Sequence, residues 1–304
     1  MAKKTFDLTD NTNEDLDIAT LPSAVSSFQN TGLTVEEERD PNKINVVISD
    51  PAPVIILFGA GSSGKTMTLI RLTRWLRKNG YKVEPDRSFR PSNSGHYKEM
   101  CDTFDEAVNS DYSAGATSIL NFMLIKVMNK YGEPICQILE APGEHYFSRQ
   151  FPNEPFPRYI NTICTIDNPK TWMFIVESNW EDLQDRLNYA NKIIKMQSQI
   201  EPKDRVIFTC HKADMHPALF DAGRPNKEQF FKNIKNQYQG IFSKYMNQNP
   251  ITKLWRKYNF DFVIFSAGLF NDTADGSGQS YTPSNDRYPA ELWKAIIKTV
   301  KGGW

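Results

Sequence analysis

The sequence has few features of an oxidising compartment or a metal cluster. It holds four cysteines among 304 residues, and none forms a C-x-x-C pair or follows the spacing of a zinc site: Cys101, Cys136, Cys164 and Cys210. Two of the four lie in apolar, strand-like runs, where reduced buried cysteine is common. We therefore expect reduced thiols, with a disulfide or zinc site as the less favoured alternative.

Long hydrophobic runs are also absent. No apolar stretch approaches the roughly 20 residues that cross a bilayer, and the N-terminus lacks the apolar centre of a signal peptide. These features predict a cytoplasmic protein without a membrane span.

The chain has no net charge at pH 7, because Lys plus Arg and Asp plus Glu both number 36. This balance does not indicate a nucleic-acid partner. The charge is unevenly divided, since residues 1–50 hold ten acidic and four basic side chains and the remainder is mildly basic. Residues 1–43 are polar and poor in periodic apolar positions, which predicts a flexible acidic arm ahead of one domain over residues 44–304. One hypothesis is that this arm folds over the basic body.

From residue 44 onward, strand-like and helix-like patterns alternate. Strands are predicted at 45–49, 54–58, 117–128, 134–139, 171–177, 205–210 and 260–265. Helices are predicted at 65–78, 96–109, 181–199, 227–246 and 291–300, and a loop at 271–289. This alternation is typical of an α/β fold, a mostly parallel sheet between two layers of helices.

A phosphate-binding loop is the strongest motif. Residues 59–66, Gly-Ala-Gly-Ser-Ser-Gly-Lys-Thr, match G-x-x-x-x-G-K-[ST], and the loop follows an apolar strand and opens a helix. In that context its amides surround a phosphate, Lys65 reaches the β- and γ-phosphates, and the Thr66 hydroxyl binds Mg²⁺. The predicted nucleotide contacts here are Gly59, Ala60, Gly61, Ser62, Ser63, Gly64, Lys65, Thr66 and Met67.

Three shorter motifs follow later strands. Residues 140–143 read Glu-Ala-Pro-Gly, residues 211–214 read His-Lys-Ala-Asp, and residues 266–268 read Ser-Ala-Gly. Each alone is degenerate, but all three directly follow apolar strands. Ligands bind beyond the carboxyl ends of such strands, so the motifs are expected to converge on one site.

Together the four motifs, in this chain order, resemble the translation-factor-related, Ras-like class of P-loop GTPases. The resemblance covers about residues 54–300 and implies a P-loop NTPase three-layer α/β/α sandwich with a mostly parallel six-stranded sheet and insertions. It implies GTP or GDP and Mg²⁺ as cofactors, with Glu140 and Thr66 near the metal and Gly143 near the γ-phosphate.

The same resemblance implies that Asp214 accepts two hydrogen bonds from guanine and that the Lys212 stem lies along the base. It assigns Ser266, Ala267 and Gly268 to the segment that contacts guanine O6. Two residues depart from the family pattern: Glu140 stands in place of Asp, and His211 in place of Asn or Thr. ATP therefore remains an alternative ligand.

A switch threonine would complete the metal coordination when a γ-phosphate is present. Thr117 is the candidate, because it follows Gly115-Ala116 and stands at the start of a predicted strand. Ser118 and Thr103 are rivals, and an ordinary strand-start threonine remains an open interpretation of Thr117.

Hydrolysis in this class needs a side chain that orients water. Glu144 and His145 follow the motif glycine, and His145 is favoured because a carboxylate would repel the γ-phosphate. A purely structural histidine is the alternative. Arg149 and Arg158 could supply a cationic finger or simply lie on the surface.

The sequence thus predicts a slow, Mg²⁺-dependent GTPase that acts as a molecular switch, with protein partners bound through its switch segments. One alternative is a nucleotide-holding scaffold with little turnover, and another is an ATP-using P-loop kinase or ATPase.

Overall fold

The computed structural model describes residues 33–91, 94–109, 120, 122–272 and 279–302. Its eleven strands within these ranges are β1 Val54–Phe58, β2 Lys82–Pro85, β3 Met123–Met128, β4 Pro134–Glu140, β5 Lys170–Glu177, β6 Arg205–His211, β7 Phe220–Asp221, β8 Arg224–Pro225, β9 Asp261–Ile264, β10 Gly268–Asp272 and β11 Gln279–Pro283.

The α-helices of the described residues are α1 Val35–Arg39, α2 Lys65–Lys78, α3 Ser94–Asp102, α4 Phe104–Asn109, α5 Gly143–Tyr146, α6 Arg158–Thr165, α7 Leu183–Gln197, α8 Lys227–Gln237, α9 Pro250–Lys253 and α10 Arg287–Val300. Single 3-10 turns lie at Pro41–Lys43, Ala213–Met215, Pro217–Leu219 and Ser243–Tyr245.

The central sheet has seven strands in the order β2-β3-β4-β1-β5-β6-β9. Strand β1 lies in the middle, and all five of its side chains are buried, as a continuous apolar run predicts. Strand β3 runs antiparallel to both β2 and β4, and the remaining neighbours are parallel. Six strands were expected; the seventh is β2, which pairs along the outer edge of β3.

Helices cover both faces of the sheet. On β5, Thr171 bonds through its hydroxyl to Thr299 of α10 at 3.0 Å. Phe174, three residues along the same strand, faces the opposite side and packs with Phe58. Tyr189 of α7 stacks on Phe58 from that side. Since side chains alternate along a strand, α10 and α7 lie on opposite faces. The three-layer α/β/α architecture is therefore confirmed.

Several predicted elements differ from the observed ones. No strand forms at 45–49, where the Val47 amide donates to the Phe89 carbonyl outside the sheet. The predicted helix 96–109 is two helices, α3 and α4, and the predicted helix 227–246 ends at Gln237. The predicted loop 271–289 instead contributes the end of β10, all of β11 and the first turn of α10.

Residues 33–46 lie against the body of the domain. Helix α1 opens with a capping box between Thr34 and Glu37. The Glu37 carboxylate is buried and receives a hydrogen bond from the buried Arg90 guanidinium at 2.5 Å. Burial works to raise the pKa of Glu37, but the bonds from Arg90 and Thr34 prevail and lower it. Residues 1–32 lie outside the described residues, so the predicted arm and its boundary at residue 43 stay predictions.

The four cysteines are buried, separate thiols. Among the residues that the structure describes, no helix combines the length and the apolar character needed to span a bilayer.

Candidate nucleotide-binding site

The phosphate-binding loop connects β1 to α2 at the carboxyl edge of the sheet. Gly64 has φ of 90° and begins the helix, a conformation that glycine adopts without steric cost. Ser62 also has a positive φ, of 60°. The first amides of α2 have no partner within the helix, and the helix dipole makes this end positive. The loop thus has the backbone curvature and potential of an anion site.

Lys65 lies inside this loop rather than in solvent. Its ammonium donates to the carbonyls of Gly59 at 3.2 Å and Ala60 at 3.1 Å. Burial lowers the pKa of Lys65, while Glu140 and Glu144 oppose that effect. The two carbonyls hold the ammonium beneath the loop, where a bound phosphate would complete its coordination.

Thr66 and Glu140 are brought together from separate elements. The Thr66 hydroxyl at the start of α2 donates to Glu140 Oε1 at the end of β4. Glu140 is fully buried, and burial raises its pKa, although Lys65 and the Thr66 bond oppose the shift. Its second oxygen, Oε2, is buried with no hydrogen-bond partner. A hydroxyl and a carboxylate with a spare oxygen are hard ligands that suit Mg²⁺.

Gly143 begins α5 and packs backbone to backbone on the phosphate loop. A Cβ built on Gly143 would stand 2.4 Å from the carbonyl carbon of Ala60. The neighbouring Glu144 extends over the same loop, since a Cβ on Gly61 would meet Glu144 Oε1 at 2.4 Å. The turn after β4 therefore closes over the loop, with the Glu144 carboxylate facing Lys65.

His145 is turned toward a different part of the site. Its Nδ1 lies 2.9 Å from the hydroxyl of Tyr159 in α6, and its ring lies edge-on to Phe122. Burial, followed by the charges of Lys65 and Arg90, lowers the pKa of His145 to about 4. His145 is thus neutral at pH 7 and held by its hydrogen bond to Tyr159, whereas the Glu144 carboxylate lies against Gly61 of the phosphate loop.

The two candidate arginines line different cavities. Arg149 lines a cavity with Gly61 and Ser62, and its guanidinium pairs with Asp185 at 3.3 Å. The backbone of Arg158 instead bonds to Asn42, and this residue lines a cavity beside residues 42–46. Only Arg149 shares a cavity with the phosphate loop.

His211 braces the phosphate loop from β6. Its Nε2 lies 3.3 Å from the Thr68 hydroxyl, and its Nδ1 would be 3.1 Å from a Cβ on Gly64. The ring stacks on Phe265. Burial, with a further contribution from Lys212, lowers the pKa of His211 to about 3. A neutral imidazole thus stands at the first position of the His-Lys-Ala-Asp motif, against the start of α2.

Lys212 directly follows the last residue of β6 and has a φ of 53°. Its ammonium pairs with Glu177 at 2.7 Å. Both line a cavity of about 600 Å³ that also includes Gly61, Ser62 and Trp180. Glu177 was missed by the sequence prediction, although it ends β5 as Glu140 ends β4. Glu177 could have been predicted from its position, because it is an acidic residue at the end of an apolar strand.

Asp214 faces a second cavity, of about 540 Å³, which Ser266 and Gly268 also line. Phe220, Leu269 and other apolar groups form much of its wall. The Asp214 carboxylate makes no hydrogen bond to another described residue. Two sequence motifs, from the ends of β6 and β9, therefore meet around one partly apolar pocket of a size suited to a small ligand.

Ser266–Gly268 is fixed by the hairpin that follows it. The Ala267 carbonyl accepts from the Ser284 amide at 3.0 Å and from the Tyr281 hydroxyl at 2.7 Å. Gly268 has φ of 147°, and a Cβ there would stand 2.2 Å from the Thr282 carbonyl oxygen. Glycine is therefore required where this hairpin begins, and the hairpin holds the Ser-Ala-Gly turn beside Asp214.

The three candidates for a switch hydroxyl are Thr117, Ser118 and Thr103. Thr117 and Ser118 lie outside the described residues. Thr103 lies between α3 and α4, where its hydroxyl bonds to the Glu99 and Met100 carbonyls. The Thr103 hydroxyl thus satisfies carbonyl groups at the end of α3.

No known family model matches the chain, and no curated protein matches it. Several solved structures align with it. Nucleolar GTP-binding protein 1 of Plasmodium falciparum does so at 14% identity and a TM-score of 0.39, over 85% of this chain and 92% of that one. The S. cerevisiae Ski7 GTPase-like domain bound to GDP and inorganic phosphate aligns at 16% identity and a TM-score of 0.37. This alignment covers 82% of this chain and 50% of that one.

The same Ski7 domain bound to GTP gives 16% identity and a TM-score of 0.38, over 90% of this chain and 53% of that one. This chain thus spans about half of the Ski7 chain. These neighbours are GTP-binding proteins, but identities and TM-scores this low do not establish a shared function.

Proposed function

We propose that this chain is a Mg²⁺-dependent guanine-nucleotide-binding protein that hydrolyses GTP to GDP and acts as a molecular switch or assembly regulator. The observation that carries this proposal is the convergence of four sequence motifs on one edge of the sheet. The phosphate loop contacts Gly143 of the second motif and His211 of the third, and Asp214 shares a pocket with Ser266 of the fourth.

The phosphates would lie in the loop 59–66. Loop amides and the start of α2 would bind the oxygens, and the Lys65 ammonium, held under the loop by two carbonyls, would neutralise the β- and γ-phosphates. Burial lowers the pKa of Lys65, and a bound phosphate would favour its charged form.

Thr66 and Glu140 would hold the metal. Their hard oxygens and the unpartnered Glu140 Oε2 fit Mg²⁺, which takes few protein ligands and keeps several waters. When bound, Mg²⁺ supplies neutralisation of the charge that develops between the β- and γ-phosphates. Glu140 is one methylene longer than the usual Asp and already reaches Thr66, so its greater length is compatible with this role.

The base would occupy the pocket at Asp214. A carboxylate with no competing bond can accept hydrogen bonds from guanine N1 and N2, while adenine offers no matching pair of donors. The apolar wall of the pocket would cover the faces of the base, and His211 would fix the loop that joins the base and phosphate subsites.

Turnover would be slow because the groups near the γ-phosphate position are poorly suited to activate water. Glu144 faces Lys65 and would be displaced by a γ-phosphate, whereas His145 is bonded to Tyr159. Arg149 is the chain's candidate for an added positive charge, because it shares the cavity with Gly61. The position of the Glu144 carboxylate also supports the second candidate function, a nucleotide-binding scaffold with little turnover.

Binding of labelled GTP and ATP analogues with Mg²⁺ tests the proposal. Wild type should prefer GTP, Asp214→Ala should erase the preference, and Lys65→Ala should weaken both nucleotides by at least about tenfold, as expected for a lost charge-assisted bond. Thr103→Ala is the matched control, because its hydroxyl caps a helix end away from the four motifs. Equal binding of GTP and ATP by wild type, or an unchanged preference in Asp214→Ala, would reject guanine recognition.

A measurement of phosphate release from GTP under single-turnover conditions then distinguishes a GTP-hydrolysing enzyme from a nucleotide-binding scaffold. A measurable rate that falls in Arg149→Ala or His145→Ala supports hydrolysis by this site. Tight GTP binding with no phosphate release supports the scaffold.

A further inference from the structure

Three of the most exposed large apolar side chains of the described residues are grouped on one short segment. Ile251, Leu254 and Trp255 are 71%, 83% and 87% exposed. They stand at spacings of three and four residues around α9 and the turn after it, so they share one side of the segment. Scattered exposed apolar residues are ordinary, but three neighbouring large ones mark an interaction surface.

The segment that presents them, residues 246–258, is a closed and braced loop, which we call the Trp255 loop. Met246 and Tyr258 pair at its base, and the Asn247 amide donates to the Lys257 carbonyl at 2.9 Å. The buried Asn247 side chain donates to the Thr252 hydroxyl at 2.7 Å and to the Arg256 carbonyl at 3.1 Å. The apolar side chains therefore project from a fixed loop.

The charge around these side chains has one sign. Between Ser243 and Phe260 the sequence contains no acidic residue and four basic ones, Lys244, Lys253, Arg256 and Lys257. Lys253 and Lys257 are exposed on the loop itself. Acidic residues packed nearby are already paired: Asp261 with Lys298 at 2.7 Å, Asp204 with Lys170 at 3.6 Å, and Glu201 with Lys170 and Lys203 at 3.1 and 3.2 Å. The loop is therefore locally cationic on a chain with no net charge.

We propose that the Trp255 loop binds the surface of an anionic lipid bilayer, with Ile251, Leu254 and Trp255 inserted among the headgroups. Tryptophan and leucine flanked by lysine are typical of peripheral segments at this interface, and lysine can lie along it with its ammonium at the phosphates. A protein partner fits less well. Stable protein interfaces bury about 800 Å² per partner and are depleted in lysine, whereas this loop offers three projecting side chains between lysines.

The loop lies at the end of the sheet opposite the nucleotide site. It precedes β9 in the chain, and β9 runs parallel to β6, whose last residue is His211. Residues after the carboxyl ends of these strands form the nucleotide site, so residues before their first positions lie at the other end. A protein bound to lipid through Trp255 would leave its nucleotide site facing solution, and the two kinds of binding are separable.

Co-sedimentation of the full chain with vesicles tests the proposal. Wild type should bind vesicles that mix phosphatidylserine with phosphatidylcholine, bind phosphatidylcholine alone much more weakly, and lose affinity as salt is raised. Leu254→Ala with Trp255→Ala should reduce binding at least about tenfold, because burial of one large apolar side chain is worth that factor. Lys253→Glu with Lys257→Glu should abolish the preference for the anionic vesicles.

Leu183→Ala is the matched control, since Leu183 is also exposed but begins α7 at the other end of the sheet. It should bind vesicles as wild type does. Lipids brominated in their acyl chains should quench part of the fluorescence of wild type, and Trp255→Phe should lose that part while still binding. Thermal unfolding and nucleotide affinity should be unchanged in every variant, so failure to fold would be recognised.

Absence of binding to both vesicles, or equal binding by wild type and the loop variants, would overturn the proposal. It would also be overturned if wild type ignores vesicles but self-associates through Trp255, because the loop would then be a protein interface. These outcomes do not depend on whether the nucleotide is GTP.

Discussion

A Cβ atom built on Gly143 would stand 2.3 Å from the backbone nitrogen of Gly61, so the turn after β4 and the phosphate loop touch through their backbones. Gly143→Ala should force the two loops apart and reduce the free energy of unfolding of the nucleotide-free protein by about 1–3 kcal/mol, as for overpacking elsewhere. Urea denaturation measures the change.

Gly95→Ala is the control for this substitution, because nothing lies within 4 Å of a Cβ at Gly95 in α3. It should be neutral or slightly stabilising, since alanine favours helix. A Gly143→Ala protein as stable as Gly95→Ala would mean that the two loops are not in contact in solution.

Asp214→Asn should exchange guanine for xanthine as the preferred base. An amide has one acceptor and one donor group, and xanthine presents an N–H at N1 and a carbonyl at C2, so the hydrogen-bonding pattern matches again. Competition of GTP and XTP for the labelled site measures the preference, and the change should be tenfold or more, as expected when a buried polar pair is mismatched. Unaltered GTP preference in Asp214→Asn would remove Asp214 from base recognition.

His211 predicts a pH dependence of stability. Its pKa falls from 6.5 to about 3 on folding, so below pH 6.5 the unfolded chain binds a proton that the folded protein does not. The free energy of unfolding should therefore fall as pH is lowered from 6.5 toward 3, and be independent of this group above that window. The slope for one proton is at most about 1.4 kcal/mol per pH unit.

Urea denaturation across this pH range should give a shallower slope for His211→Gln than for wild type. His145, whose pKa is lowered to about 4, adds a second contribution of the same sign, so His145→Gln should also reduce the slope. The exposed His96 provides the control, and His96→Gln should keep the wild-type slope. Equal slopes in wild type and His211→Gln would show that His211 is not buried as a neutral ring.

Glu37→Ala should destabilise the domain strongly. Removal of this carboxylate leaves the buried Arg90 guanidinium without its ion pair, a change that typically costs about 3–5 kcal/mol. Glu36→Ala, in the same helix, removes only an exposed pair with Lys43 and should cost about 0–1 kcal/mol. Similar denaturation midpoints for the two variants would mean that α1 does not dock on Arg90.

Parts of the fold could be predicted where the sequence pattern is strong. Helix α2 was predicted at its observed limits because it follows the phosphate loop and ends before Gly80. Strand β2 was missed, since Lys-Val-Glu-Pro is short, half polar and ends in a proline that only an edge strand accommodates. The hairpin β10–β11 was missed because its Asp, Gly and Ser residues are typical of a loop. Whether residues 268–283 pair as strands depends on their packing, which the residue types alone do not determine.

The proximity of motif residues could be predicted, because motif positions at strand ends identify neighbours without a sheet order. Thr66 and Glu140 were assigned together and do bond. The direction of a side chain within a short turn could not be predicted. Glu144 and His145 are adjacent in α5, and only packing against Tyr159 and Phe122 turns the histidine away from the loop. The assignment of the water-orienting residue therefore stays a prediction.

The additional edge strand, β2, restricts the movement of β3. Because β2 and β4 both pair with β3, any shift of β3 along its axis would break two hydrogen-bond ladders at once. Strand β3 would thus resist displacement and serve as a fixed anchor in any nucleotide-driven rearrangement. The amide protons of β3 should accordingly exchange with solvent slowly and at the same rate whichever nucleotide is bound.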